Sequence, residues 1–268
     1  MVGEAMKILH AWDTAGVASL ISGTMDLKFG TNSTVLMMKR FDPFGLSRGS
    51  IRGGSRLFYL RLSFAALNAD IIHVHSNESI FSWLHSLFPH KPMIMHYHGS
   101  DIRSLKKPTF RGIARHIFYA TKDLAKYFVP GEATWCPIPV DRKMFRRTNP
   151  PKSQNSAVSF NLNKVEETKM IAKKFGLELD ILERRYHWME IPGILSNYNY
   201  YLDIKEDPLT HEVLKAEYAL SLTALQALSI GLKVIDANER IYDEFPEEND
   251  SEQVAERVYH VYEEVSKG

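Results

Sequence analysis

Two pairs of histidines are the residues of this 268-residue chain best suited to chemistry. His73 and His75 stand at the end of one apolar run, and His96 and His98 stand at the end of another. Such runs are typical of strands in a parallel sheet, and α/β proteins bind ligands at the carboxyl ends of those strands. Because alternate residues of a strand point to the same face, each pair shares a face. We expect His98 to reach a ligand, and His73 and His96 to be interior histidines.

The same pairs allow a metal-ligand interpretation, because imidazole is a common ligand of zinc. A metal-dependent hydrolase built like an eight-stranded barrel would need further histidine or carboxylate ligands on later strand ends. The second half of the chain does not supply that many strands. We therefore predict no metal site, and a metal assay on the purified protein separates the two interpretations.

A second candidate site lies in residues 217–235. Glu217 precedes a short loop, a helix is predicted to begin near Thr223, and Gly231 ends it before a strand. The start of a helix offers N–H groups and the positive end of the helix dipole, which suit a diphosphate. Thr223 and Gln226 also have the spacing of a capping box, which would stabilise the helix without any ligand. The sequence leaves both interpretations open.

Gly16 follows the first predicted strand, at the turn into a helix. Glycine at such a turn lets backbone N–H groups approach an anion, although any strand-to-helix turn can require one. The full dinucleotide pattern G-x-G-x-x-G is absent from the sequence, which argues against a dehydrogenase.

Basic residues are concentrated in the first part of the chain. Residues 1–150 contain 20 Lys and Arg against 10 Asp and Glu, whereas the whole chain has a net charge of +1. Arg48, Arg52 and Arg56 recur every four residues, as on one face of a helix, and Arg103 extends the basic bias. We predict a surface for a lipid or phosphorylated acceptor, or for an anionic membrane; the alternative is a solvated loop. No nucleic-acid-binding motif accompanies the charge, so we predict no nucleic-acid partner.

An alternation of strands and helices positions these candidates. Apolar runs predict strands at 7–12, 33–40, 69–76, 92–98 and 116–121, with helical patterns between them. This alternation predicts a doubly wound α/β fold with a parallel sheet. A proline-rich and polar stretch predicts a boundary near 140–155 between two Rossmann-like lobes, residues 1–146 and 147–268. We expect the last helix to pack back on the first lobe.

The composition excludes other classes of protein. Cys136 is the only cysteine, so an intramolecular disulfide is impossible. No run approaches the roughly 20 apolar residues that cross a bilayer, and the first residues do not form a signal peptide. We predict a cytoplasmic protein, with a peripheral position on the inner face of the membrane as an option.

Four segments resemble, in order, the retaining GT-B glycosyltransferases of the group 1 type, family 4. They are KILHAWDTAGVASLI (7–21), HYHGSDIR (96–103), IPVDRKMF (138–145) and QALSIGLKV (226–234). The third resembles the family's link between lobes, and the fourth resembles the later part of its E-x7-E motif. The resemblance covers nearly the whole chain.

The resemblance implies two Rossmann-like lobes with a cleft, a nucleotide-sugar donor, retention of configuration, and neither a metal nor a cofactor besides the donor. It implies His98 and Glu217 as catalytic residues. It implies donor binding by Gly16, Lys164, Tyr218, Ser221, Leu222, Thr223 and Gln226.

The chain departs from the family motif at its two acidic positions. Gln226 stands where the family has its second glutamate, and the strict spacing places Tyr218, rather than Glu217, at the first. Gln226 can still hydrogen-bond a ribose hydroxyl as a neutral amide. The alternative function is a non-catalytic protein of GT-B fold that binds a nucleotide sugar or a partner subunit.

Overall fold

The computed structural model describes residues 4–105, 107–160, 162–183, 185–206, 212–213 and 219–267. The chain divides into two compact units. Unit 1 is Met1–Pro139 together with Ser251–Gly268, and unit 2 is Val140–Asp250.

Twelve strands are present in the described part of the chain. In unit 1 they are β1 (Lys7–Ala11), β2 (Asn32–Met38), β3 (Ser50–Ile51), β4 (Ile71–His75), β5 (Met93–Tyr97), β6 (His116–Tyr119) and β7 (Thr134–Trp135). In unit 2 they are β8 (Ser156–Ser159), β9 (Glu178–Ile181), β10 (Tyr200–Asp203), β11 (Lys233–Asp236) and β12 (Ile241–Tyr242).

Eight α-helices are described, and short 3-10 turns supplement them. They are α1 (Val17–Phe29), α2 (Ser55–Asn68), α3 (Glu78–Leu87), α4 (Ser100–Leu105), α5 (Val165–Lys174), α6 (Ile191–Ser196), α7 (Leu222–Ile230) and α8 (Ser251–Lys267). All except α5, α6 and α7 belong to unit 1.

Unit 1 is built on a seven-stranded, entirely parallel sheet in the order β3-β2-β1-β4-β5-β6-β7. Every residue of β4 and β5 is buried, as the continuous apolar runs predict for strands covered on both faces. The predicted α/β class and Rossmann-like character are confirmed.

Helix α8 completes a hydrophobic core of unit 1. Its side chains Val254, Val258 and Tyr262 are fully buried in a cluster with Ile8 and Ile71 of the sheet. An apolar stripe at helical spacing therefore covers one face of the parallel sheet. The other face packs against α2 and α3.

Unit 2 is built on a five-stranded sheet in the order β12-β11-β10-β8-β9, parallel except for the antiparallel β12. Its core includes Leu202 and Ile235 of the sheet and Ala172 of α5. Helix α7 ends at Ile230, and its C-cap Gly231 has a φ of 91°, a conformation that favours glycine.

Each sheet has a switch point, the place where connections leave two neighbouring strands in opposite directions. In unit 1 the chain moves from β1 outward to β2 and β3, then returns to β4 on the other side of β1. In unit 2 it moves from β8 to β9 and returns to β10 on the other side of β8. The crevice outside the carboxyl ends at such a point is where open α/β sheets bind ligands.

One predicted element is wrong. Arg48, Arg52 and Arg56 do not lie on one helix face, because β3 occupies Ser50–Ile51 and α2 begins only at Ser55. The two adjacent glycines before α2 oppose helix formation through this segment.

Candidate functional site

A row of histidines crosses the sheet of unit 1 beside its switch point. His10 of β1 is in register with His73 of β4, and His75 of β4 is in register with His96 of β5. These four side chains are fully buried, whereas His98, just beyond β5, is half-buried. His73 and His96 are thus interior histidines, as expected.

Hydrogen bonds join three of these rings into a chain. Nδ1 of His10 lies 3.1 Å from Nε2 of His75, and Nδ1 of His75 lies 3.1 Å from Nε2 of His98. Nδ1 of His73 is hydrogen-bonded to the hydroxyl of Tyr262 on α8. The chain runs from the buried interior of the sheet to its carboxyl edge.

The enclosed rings are neutral at pH 7. Burial lowers the pKa of His10 to about 3. Burial also lowers the pKa of His98 to about 4, although the charge of Asp101 opposes the shift. The pKa values of His73, His75 and His96 fall well below the usual range, first because of burial and then because of neighbouring histidines.

The Nε2 atom of His10, unpaired among the described residues, indicates which ring donates in each hydrogen bond of the chain. A neutral imidazole has one N–H donor and one acceptor nitrogen, and Nε2 of His10 has no partner within the described part of the chain. If His98 donated to His75, and His75 to His10, that nitrogen would be a buried, unpaired N–H, which is rare and costly. The opposite direction is favoured, and it leaves His98 with an N–H donor at Nδ1.

The histidine row could also hold a metal ion. Ring nitrogens of His10, His73 and His75 lie within 4.8 Å of one another, and so do those of His75, His96 and His98. Zinc–nitrogen bonds of about 2.0–2.1 Å in a tetrahedron separate ligand nitrogens by about 3.3 Å, so small movements would complete either set.

Asp13 occupies the start of the helix that follows Gly16. Its carboxylate accepts hydrogen bonds from the N–H groups of Ala18 and Ser19, at 2.8 and 3.3 Å. Gly16 has a φ of 76°, and a Cβ there would lie 3.1 Å from the carbonyl oxygen of Leu46. Gly16 therefore allows the tight turn, while Asp13 accepts the hydrogen bonds that these N–H groups would otherwise donate to a bound anion.

The four predicted basic residues have different surroundings. Arg103 pairs with the buried Asp123 at 2.8 Å, and Arg48 pairs with Asp26 at 2.7 Å. Arg52 and Arg56 are exposed.

Two lysines lie at the switch point of unit 2. Lys164 follows β8 and precedes α5; its side chain is only 16% exposed and lies 3.7 Å from Glu167. Lys205 follows β10, and its Nζ lies 3.6 Å from the carboxylate of Asp203. Because β8 and β10 are neighbours, both cations belong to one edge of the sheet.

The start of α7 lies after the same strand β10. Ser221 is the N-cap, its hydroxyl accepting from the N–H of Ala224 at 3.1 Å, and its own N–H donates to Asp203 at 2.9 Å. The predicted capping box of Thr223 and Gln226 is therefore wrong, since the cap lies two residues earlier. 

The remaining residues predicted to bind the nucleotide-sugar donor lie in the first turns of α7 or outside the described residues. Leu222 and Gln226 are half-buried and Thr223 is buried. Glu217 and Tyr218 lie outside the described residues.

A cavity of about 650 Å³ opens beside α5, next to the ends of β10 and β11. Its lining includes Lys174, which pairs with Glu239, and two further glutamates, Glu167 and Glu212. Glu167 of this lining lies 3.7 Å from Lys164, so the cavity borders the edge of the sheet that carries the two lysines.

The sequence did not predict three polar residues at the carboxyl edges of the two sheets: His10, Asp13 and Lys205. Each stands at or just after the end of a predicted strand, and this position was the available signal. No model of a protein family matches the chain, and no curated protein matches it.

Proposed function

We propose that this protein is a GT-B glycosyltransferase, which moves a sugar from a nucleotide-sugar donor to an acceptor with retention of configuration. One observation carries the proposal. In both units, polar residues that the sequence singled out stand at the carboxyl edge of the sheet: Lys164 and Ser221 at the switch-point strands β8 and β10 of unit 2, and His98 after β5 of unit 1, one strand from the switch point.

In unit 2, the donor diphosphate is assigned to Lys164, Lys205 and the start of α7. Two cations and the positive end of a helix dipole offset the charge of a diphosphate. They also offset the negative charge that develops on the diphosphate as its bond to the sugar breaks. The buried carboxylate of Asp203 repels the diphosphate, so binding depends on the positive charge of the two lysines. Gln226 is assigned to the ribose.

In unit 1, His98 is assigned to a hydroxyl of the transferred sugar. The favoured direction of the histidine chain gives it an N–H donor at Nδ1, and its low pKa keeps the ring neutral. A neutral donor orients a hydroxyl without adding a positive charge beside the developing oxocarbenium-like sugar. The acceptor class is a lipid or a phosphorylated molecule, in keeping with the basic bias of residues 1–150.

A thermal-shift screen against UDP-, GDP- and ADP-linked sugars tests donor binding first. A ligand present at 100 times its dissociation constant stabilises the native state by about 2.7 kcal/mol. Lys164→Ala should weaken the best ligand roughly tenfold, whereas Lys169→Ala, an exposed lysine of the same helix, should leave its affinity unchanged. Equal binding by both variants would remove Lys164 from the site.

Turnover separates the enzyme from the alternative, a protein that binds a nucleotide sugar without transferring it. Release of nucleoside diphosphate from the best donor is measured for the wild type and for His98→Gln. We expect His98→Gln to retain donor affinity and lose turnover, and the exposed His260→Gln to retain both. A wild type that binds the donor and never releases nucleoside diphosphate, whatever the lipid or phosphorylated acceptor, favours the alternative.

A further inference from the structure

Helix α2 of unit 1 is apolar on two opposite sides. Phe58, Leu62 and Ala66 are buried against the sheet. On the other side, large apolar side chains between 40% and 62% exposed recur along the helix: Leu57, Leu60, Phe64 and Leu67. A helix in a soluble protein normally carries polar residues on the side that faces solvent. The exposed stripe therefore needs an explanation.

Arginines flank the exposed stripe of α2. At about 100° of rotation per residue, the four apolar side chains fall within an arc of about 80°. By the same geometry, Arg56 lies about 20° beyond one edge of the arc and Arg61 about 40° beyond the other. Both arginines are exposed. Long basic side chains beside an apolar stripe can extend towards lipid phosphates while the stripe enters the hydrocarbon.

Helix α3 extends the same surface. Nε1 of its Trp83 donates to the hydroxyl of Ser63 on α2 at 3.3 Å, and the rings of Trp83 and Tyr59 are 5.4 Å apart. Trp83 and Leu87 are themselves 44% and 47% exposed. Because Trp83 packs on α2, the exposed apolar side chains of the two helices are neighbouring parts of one surface, and an apolar surface of this kind marks an interaction site.

We propose that this α2–α3 patch docks unit 1 on a membrane containing anionic lipids. Charge identifies the occupant, because the exposed Arg56 and Arg61 flank the stripe and residues 43–69 contain neither aspartate nor glutamate. Tryptophan beside leucine and phenylalanine suits the boundary between lipid headgroups and hydrocarbon. The proposal does not depend on His98, Lys164 or Ser221, which carry the sugar-transfer proposal, so the two can be tested separately.

Vesicle co-sedimentation tests the docking. The full chain should bind vesicles of phosphatidylcholine with phosphatidylglycerol and bind phosphatidylcholine alone much more weakly. Raising the salt from about 0.1 M to about 1 M shortens the Debye length from about 10 Å to about 3 Å, so the binding should weaken. Absence of binding to the anionic vesicles overturns the proposal.

Paired variants assign the binding to the patch. Leu60→Ser with Phe64→Ser should reduce partitioning roughly tenfold or more, and Arg56→Gln with Arg61→Gln should reduce it roughly fivefold per arginine. Leu27→Ser, a highly exposed leucine on α1, is the control and should bind as the wild type does. Because all of these side chains are exposed, the variants should keep the wild-type melting temperature. If both double variants bind normally, or if light scattering finds a dimer that Leu60→Ser with Phe64→Ser dissociates, the patch has another role.

Discussion

Nδ1 of His75 lies 3.1 Å from Nε2 of His98, which links a fully enclosed ring to a half-buried ring at the edge of the sheet. His75 in turn is bonded to His10, so the proton position on one ring fixes the tautomer of the others. The state of His98 is thereby set from the interior, by residues that a ligand at the edge does not touch.

Stability should fall in mild acid. Burial lowers the pKa of the enclosed His10 to about 3 and that of the half-buried His98 to about 4 in the folded protein, against about 6.5 when unfolded. The unfolded state therefore binds more protons below pH 6.5, and stability is lost as pH falls from about 6.5 towards 4. Each fully buried histidine adds a slope of up to about 1.4 kcal/mol per pH unit. Urea unfolding at a series of pH values measures this slope, and a flat profile between pH 7 and 5 would contradict it.

His96→Leu should stabilise the protein. Both ring nitrogens of His96 are buried and have no hydrogen-bond partner among the described residues, so leucine removes unpaired polar atoms at similar volume. We expect a gain of about 1 kcal/mol at pH 7, larger at pH 5 because one proton-linked group is gone. His73→Leu is the matched control and should destabilise, since it leaves the buried hydroxyl of Tyr262 without its partner. Equal losses from both substitutions would refute the distinction.

Arg103→Ala should destabilise unit 1 strongly. The side chain of Asp123 is 2% exposed and depends on the guanidinium of Arg103 at 2.8 Å. Removal of one partner from a buried pair costs about 3–5 kcal/mol, because a charge stays buried without compensation. The double variant Arg103→Ala with Asp123→Ala should recover part of the loss in denaturant unfolding. If the single variant loses less than about 1 kcal/mol, the pair behaves as a surface ion pair.

Ser221→Ala should lower the stability of the protein by about 1 kcal/mol, because the hydroxyl caps α7. Gln226→Ala removes a half-buried side chain that takes no part in that cap, and we expect a change within about 0.5 kcal/mol. Melting temperatures of the two variants make the comparison. A larger loss from Gln226→Ala would restore the capping box predicted from the sequence.

Purified protein should contain zinc well below one equivalent, and EDTA should leave its melting temperature unchanged. His10, His75 and His98 already satisfy one another by hydrogen bonds, which a bound ion would have to break. Elemental analysis measures the metal directly. Stoichiometric zinc that His98→Gln abolishes would instead establish His75, His96 and His98 as the ligands.

The sequence was sufficient to predict the main parallel strands of unit 1. Strands buried on both faces have unbroken apolar runs, such as those of β4 and β5. The sequence also placed the start of α7 within one residue, since an apolar run and Gly231 mark the extent of that helix. These features depend on neighbours along the chain, which pattern and propensity can detect.

What the sequence could not predict depends on contacts between distant parts of the chain. The pairing of Arg103 with Asp123, and of Arg48 with Asp26, requires knowledge of which loops meet. Asp13 accepts hydrogen bonds from the first N–H groups of α1 because its side chain points towards them. The spacing of residues in the sequence does not determine that direction. The hydrogen-bond chain through His10 depends on strand order, because β1 and β4 are neighbours in the sheet but far apart in the sequence.

The packing of α8 affects how the protein is made. Ile8, Ile71 and their neighbours share a core with residues of α8, so a ribosome must finish all of unit 2 before that core can close. At about 5–20 residues per second, synthesis of unit 2 takes roughly 5–20 s. During that time α1 already packs on this face through Val17, Ile21 and Met25, and the core is completed only when α8 has been made.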